Sequence, residues 1–377
     1  MKIKRVLKWS ALAIVLALFA WFQVSYWTST NDYEQLTAAQ GETMQAVVYR
    51  DYGSPDVLKL ETIAKPVPTD AQVLVKVRAA SVNPLDWHFM RGEPRIMRIE
   101  SGLRKPKGMR MGVDFSGLVE AVGKNVTQFK PGDEVFGGRT GSFAEYVVIA
   151  EQFLIPKPQN ISFEQAGAVQ IAGLTALQGL RDSGKLQPGQ KVLINGASGG
   201  VGTFAVQIAK TLGAEVTGVC STRNVDMVRS LGADHVIDYT KEDFTKGSAR
   251  YDVVLDLVGN HGLLAVRRAL TAEGKYVMIG GPAGGWIAPM DTVLRASLLS
   301  MVVKQEMGFM MSKLNRDDLM LLRDLMAGGK VTPVIDKTYP LSQTRDAVAY
   351  QETGRARGKV VITMTPEEKT GAGIALR

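Results

Sequence analysis

Cysteine and histidine are scarce: 377 residues hold one of the first and three of the second. The lone thiol, Cys220, excludes disulfides and a thiol-based metal site, and His88, His235 and His261 lie too far apart in sequence to make a zinc signature. Internal repeats and low-complexity segments are absent. The formal charge is +8, yet the basic residues are dispersed and no aromatic-basic recognition module accompanies them, which argues against nucleic acid as a partner. Acidic residues are missing from Ser221-Thr222-Arg223-Asn224. With 45% hydrophobic and 22% charged residues, the composition is that of a globular chain long enough for two domains.

What is present centres on residues 191–210. Lys191-Val192-Leu193-Ile194-Asn195 predicts a buried strand, and the glycine cluster from Gly196 to Gly202 predicts a tight turn. Val201, Ala205, Ile208, Ala209 and Leu212 then mark the packed side of a helix. Glycines at 196, 199 and 202 allow a sharp turn, close approach of a pyrophosphate and tight helix packing, with the helix N-terminus facing the phosphate charge. Residues 215–220 predict a second strand, whose end would meet the adenosine ribose at residues 221–224. A site that prefers NAD usually carries an acid there. An Arg among hydroxyl and amide groups suits a 2′-phosphate instead, so NADPH is the expected cofactor. The alternative is that Arg223 is a solvated first-turn residue.

Residues 9–27 carry no charge and are just long enough, at about 1.5 Å per residue, to cross a bilayer core. Trp9, Tyr26 and Trp27 stand where interfacial belts would lie. Lys2, Lys4, Arg5 and Lys8 precede the run, and no small-x-small cleavage site closes it. The expectation is therefore one uncleaved N-terminal transmembrane helix, a single-pass membrane localisation and, by charge asymmetry, a body on the non-cytoplasmic side. That placement conflicts with an NADPH supply expected mainly in the cytosol or an organelle matrix. Residues 1–43 read as anchor and linker. Alternating patterns and Gly/Pro turns over 44–165 predict an antiparallel β domain completed by 332–365. Strands alternating with helices over 166–331 predict a doubly wound parallel sheet, with 366–377 as a tail.

Several motifs together are specific. They are Ala80-Ser81-Val82-Asn83-Pro84-Leu85-Asp86, the run Gly112 to Gly123, Phe129-Lys130-Pro131-Gly132-Asp133, the glycine loop, Leu231-Gly232-Ala233-Asp234, and Gly354 to Lys359. Through them the chain from 44 to about 365 resembles the zinc-free quinone oxidoreductases of the medium-chain dehydrogenase/reductase superfamily, most closely the branch containing the mitochondrial reticulon-4-interacting protein. The resemblance implies a GroES-like β domain, a Rossmann domain, an active site in the cleft between them, and a homodimer. Zinc enzymes of the same superfamily place ligands where this chain has Asn83, Val113 and, at or near that position, Gln170; none of these supplies such a site.

Without a Lewis-acid metal, the acceptor must itself take hydride readily, as a quinone or a conjugated enone or enal does. The resemblance then implies Asn83 as first candidate donor near the accepting oxygen, with Asp86 positioning it or serving only as a turn carboxylate. It implies Ser198, Gly199, Gly200, Val201 and Gly202 at the pyrophosphate, and Ser221, Arg223 and Tyr239 around the 2′-phosphate. Thr175 would lie near the nicotinamide, Gly280 beside the cofactor and Arg357 on a segment folding over it. Tyr239 as packing and Arg357 as a solvated cation are the alternatives. The expected activity is zinc-independent, NADPH-dependent reduction of a lipophilic quinone or activated alkene. A zinc-free alcohol or aldehyde dehydrogenase, or a non-catalytic NADPH-binding membrane-tethered module, are the other readings. Two further stretches stand out: the basic, apolar run 89–111, a lid over a membrane-borne substrate or a solvated loop, and the Met-rich run 290–311, helix core, interface or substrate pocket.

Overall fold

A computed structural model describes residues 41–108, 110–281 and 290–364. Lys191–Asn195 lies inside a six-stranded parallel sheet, flanked by Glu215–Cys220 on one side and Tyr251–Asp256 on the other. The sheet continues outward to His235–Asp238 at one edge, and through Leu270–Met278 to Glu306–Phe309 at the other. Numbered by sequence, the order is 3-2-1-4-5-6, with the switch point between the first and fourth strands, where open α/β sheets bind ligands. Val192, Leu193, Ile194, Val253, Val254 and Leu255 are all buried, as expected of parallel strands covered on both faces. The helix after the glycine loop, Gly200–Thr211, buries Phe204, Ala205, Ile208 and Ala209.

The second sheet has seven strands and is built around Gln72–Val82. Its first half pairs with Tyr146–Ala150, its last four residues pair with Lys359–Thr363, and Asp114–Val122 runs along the other side. Irregularities in register at Leu74/Val75 and Val77/Ala79 re-aim the strand between its two partners. Gly117 permits this crossing, since a Cβ there would sit 2.2 Å from the Lys76 carbonyl oxygen. The late segment thus returns to the early sheet, and an isolated parallel bridge between Gly199 and Gly358 ties the two sheets together at the glycine loop.

The expectation of a single-pass membrane protein is corrected. Among the described residues no helix is long and apolar enough to cross a membrane, and the segment 9–27 that carried the expectation lies outside those residues. The described part of run 89–111 is helical in places and irregular over 102–108. It contains the end of helix Pro84–Arg91 and the short helix Arg98–Ser101, with Arg98 donating to the carbonyls of Gly92 and Arg91 and stacking over Tyr52. Arg91 pairs with Glu352. Run 290–311 supplies helix Met290–Ser300 and the edge strand Glu306–Phe309, with Leu294, Leu298, Met301 and Val302 exposed.

Phe204, on the glycine-loop helix, is wholly buried in the core cluster that also holds Leu174, Leu177, Val192 and Ile194. Phe204→Ala should lower the unfolding free energy by about 3–5 kcal/mol, measured by denaturant titration; a loss under about 1 kcal/mol would contradict this packing.

Candidate active-site cleft

A cleft of about 490 Å³ opens between the two sheets at the switch point. Its floor is the glycine loop, and its walls are Val82, Asn83 and Pro84 on one side and Leu257, Val258 and Asn260 on the other, with the segment 354–359 across it. The three glycines of the loop serve different ends. Gly196 adopts φ +89, a left-handed turn that favours glycine. Gly202 closes the loop, since a Cβ there would lie 2.2 Å from the Gly196 carbonyl oxygen. Gly199 has ordinary extended backbone, φ −84 and ψ 179, and a Cβ would meet only the Gly196 oxygen, at 3.5 Å. Neither strain nor protein packing requires glycine at 199, so its missing side chain leaves room for something that is not protein. The first intrahelical bond beyond it runs from the Thr203 N–H to the Gly199 oxygen, 3.0 Å. The N–H groups of Gly200, Val201 and Gly202 therefore face the cleft end of the helix without intrahelical partners, a ready anion site.

At the end of the second strand, Ser221, Arg223, Asn224 and Tyr239 line the same cleft. Arg223 donates to the Arg355 carbonyl oxygen at 2.8 Å, which fixes its guanidinium beside the opening. Asn224 donates to the hydroxyls of Ser198 and Ser221, and its buried Oδ1 has no hydrogen-bond partner. The neighbouring carboxylate, Asp238, is turned to the hydroxyls of Thr222 and Thr240, which hold it below the usual carboxylate range. The cleft-lining set here offers cationic, hydroxyl and amide groups and no carboxylate. Cleft, anion-binding helix end and phosphate-type donors together fit a dinucleotide bearing a 2′-phosphate.

The opposite wall holds a buried polar cluster. Both amide hydrogens of Asn83 are engaged, one with the Asp114 carboxylate at 3.0 Å and one with the Ser81 carbonyl at 3.2 Å, and its Oδ1 accepts from Lys359 Nζ at 2.5 Å. Asp114 also accepts from the Ser81 hydroxyl and the Ile171 N–H. Asp86 reaches back to the Asn83 N–H at 2.7 Å, one arm of a capping box for helix Pro84–Arg91. Burial pushes the Asp86 carboxyl up to about 7; the Asn83 N–H bond opposes this and the nearby Asp114 charge adds to it. Burial also lowers the Lys359 ammonium from its ordinary value, against the attraction of Asp114 and Asp86.

Of the residues singled out from sequence, Asn83, Ser198, Gly199, Gly200, Val201, Gly202, Ser221, Arg223 and Tyr239 line the cleft. Four do not. Asp86 lies behind Asn83. Thr175 is buried and donates to the Ser312 hydroxyl. Gly280 packs under the Leu257 backbone. Arg357 is exposed, its backbone N–H bonded to Asp336, while Arg355 lines the opening. Asp114, Lys359, Asn195, Asp256 and Asn260 were not read as site residues. Asn195 donates to both Asp256 and Asn260, and Asp256 accepts from the Val258 and Gly259 N–H groups, which shapes the loop opposite the glycines. Their signal in the sequence is an acid or amide ending each of two apolar strands. Asn83, Val113 and Gln170, which stand at or near the positions where the resemblance would put zinc ligands, offer an amide, an alkyl group and an amide, and among the described residues no group of three His, Cys, Asp or Glu could hold a metal. That donor set does not fit a zinc ion.

Residues 69–159 match the family described as alcohol dehydrogenase GroES-like domain, and residues 231–362 the one described as zinc-binding dehydrogenase. The chloroplastic NADPH-dependent alkenal/one oxidoreductase of Arabidopsis thaliana is 35% identical over 338 residues, covering 86% of this chain and 80% of that protein. The mitochondrial NAD(P)H oxidoreductase RTN4IP1 of Mus musculus is 34% identical over 362 residues, 87% and 91% of the two chains. The structure of a quinone oxidoreductase from Coxiella burnetii superposes with a TM-score of 0.75 at 31% identity, over 86% of this chain and all of that one.

Two outcomes follow from this geometry. Gly199→Val should leave the melting temperature within a few degrees of wild type and abolish NADPH binding, read by nucleotide fluorescence; unchanged affinity would show the space to be unused. Asp86 titrates at 3.8 when unfolded and about 7 when folded, so the folded chain binds the proton more tightly. Stability should fall as pH rises from about 4 to 7. Asp86→Asn should flatten that part of the denaturation profile, and an unchanged slope would contradict a raised Asp86.

Proposed function

The chain belongs to the quinone oxidoreductase-like branch of the medium-chain dehydrogenase/reductase superfamily, and from that membership we propose that it is a zinc-independent, NADPH-dependent reductase of quinones or activated alkenes. The observation that carries this reading is the cleft itself, with space at Gly199, phosphate-type donors at its rim and, among the described residues, no His, Cys, Asp or Glu cluster that could hold a metal. Relatives named for alkenal/one and quinone reduction support the acceptor class.

Bound NADPH supplies the hydride. The N–H groups at 200–202 hold the pyrophosphate, and Ser221, Arg223 and Tyr239 hold the 2′-phosphate. Val82, Ile171, Ala172, Leu257 and Val258 give the cleft apolar walls against which a flat conjugated acceptor can lie. Asn83, with its hydrogens committed to Asp114 and Ser81, orients the polar wall. Thr175, Gly280 and Arg357 support the cofactor from outside the lining, and the fold divides at about 166 and 331. A homodimer belongs to the reading, supported by the exposed apolar side chains beside the edge strand Glu306–Phe309.

The test is nucleotide consumption by the purified chain after chelator treatment, with a quinone and a conjugated enal in parallel. Turnover with NADPH should exceed that with NADH, and Arg223→Ala should raise the NADPH KM about tenfold or more while leaving NADH little changed. NADPH that binds without being consumed with either acceptor would overturn the reductase reading.

A further inference from the structure

Among the described residues, three cations line the cleft, Arg223, Arg355 and Lys359. Arg223 is fixed to Arg355 at the rim. Lys359 differs from both, since its side chain is only 3% exposed and enters the cleft wall beside Asn83. Folding alone gives little reason for it. An ammonium removed from water is costly, and a buried ion pair can often be replaced by apolar residues without loss. Yet the surroundings are shaped to accommodate it. Gly358 adopts φ +104, and a Cβ there would lie 2.4 Å from the Val334 oxygen, so the chain turns sharply just before the lysine. A Cβ on Gly200 would approach Lys359 Cδ to 3.0 Å, so the glycine loop makes way for the stem.

The hydrogens of Nζ can be followed. One goes to Asn83 Oδ1 at 2.5 Å, and the Asp114 carboxylate stands at 3.6 Å as the compensating charge. No further partner is present among the described residues, so an ammonium with three hydrogens keeps a donor for a ligand. Asn83 keeps none.

We infer that Lys359 is a catalytic residue: its ammonium grips the carbonyl oxygen of the quinone, enone or enal and stabilises the negative charge that this oxygen gains. The inference rests on the reductase reading. A hydride and its electron pair add to the acceptor carbon from NADPH, which leaves oxidised. The conjugated π electrons move to the oxygen, and water entering the open cleft supplies the proton that neutralises it. The negative charge appears on an atom held by a preorganised cation in a partly dry wall, where such an interaction is worth most. Asn83 and Asp114 are the positioning residues that aim Nζ.

The experiment uses the full chain and Lys359→Met and Lys359→Arg, with a Lys359→Met/Asp114→Asn double variant that removes both charges should the single change fail to fold. The expected result is a fall in kcat of about a hundredfold or more for both acceptor classes in the Met variants, with NADPH affinity within threefold of wild type. A second readout needs no turnover. 4-Nitrophenol bound to the NADP⁺ complex should ionise at lower pH in wild type than in Lys359→Met, followed by its visible absorbance. Equal ionisation in the two, or turnover within threefold of wild type in a folded variant, overturns the inference. So does loss of NADPH affinity with kcat unchanged, which would make Lys359 a cofactor contact. Absence of turnover in the wild type counts instead against the reductase reading, and the nitrophenol comparison still decides the role of the ammonium.

Discussion

The antiparallel pairing of Lys359–Thr363 with the last residues of Gln72–Val82 is the contact on which the site depends. It closes the seven-stranded sheet, sets Gly358 against the glycine loop through the bridge to Gly199, and places Lys359 beside Asn83. None of these contacts is local. Each exists because a β sheet leaves an unpaired edge until a further strand covers it, and the covering strand comes from the far end of the described chain.

Buried charge then becomes concentrated where that strand docks. Asp86, Asp114 and Lys359 are all almost fully shielded from water. Their hydrogen bonds are specific: Asp114 serves Ser81, Asn83 and Ile171 at once, and Asp86 serves the backbone at a helix start. Such a cluster is tolerable because nearly every polar atom has a partner. Outside the cleft lining, the buried Oε1 of Gln170 has none. A wall built this way is polar and rigid, while the opposite wall of Leu257 and Val258 is apolar, which suits a flat conjugated acceptor with one oxygen to anchor.

Local features were legible in the sequence and distant ones were not. The strand, glycine turn and helix at 191–211 follow from a hydrophobic run, residues that permit unusual backbone, and a helical period, all within about twenty positions. Ser221, Arg223 and Tyr239 were named through the resemblance; they follow the strands Glu215–Cys220 and His235–Asp238 and line the cleft. Lys359 stood in view within Gly354 to Lys359, but a lysine at the start of a strand reads as solvated; only its docking 276 positions away from Asn83 buries it. Asn83 was read as a free donor because sequence cannot show that both its hydrogens are already taken. Arg355 and Arg357 stand two positions apart just after the turn at Gly354, φ +67, so choosing between them required the actual course of the backbone. The apolar segment 9–27 gave a strong compositional signal for a membrane, and no described helix carries one.

The sheet closure also orders events in time. The edge at residues 79–82 emerges from the ribosome long before its partner at 359–363, an interval of roughly 15–55 s at about 5–20 residues per second. Throughout it the early domain carries an uncovered strand, the kind of surface that recruits foreign chains, while the parallel sheet of 191–309 can form behind it. Cells making this protein therefore meet a half-built intermediate whose nucleotide fold precedes its chemistry, and chaperone capacity during translation becomes a determinant of how much active protein they accumulate.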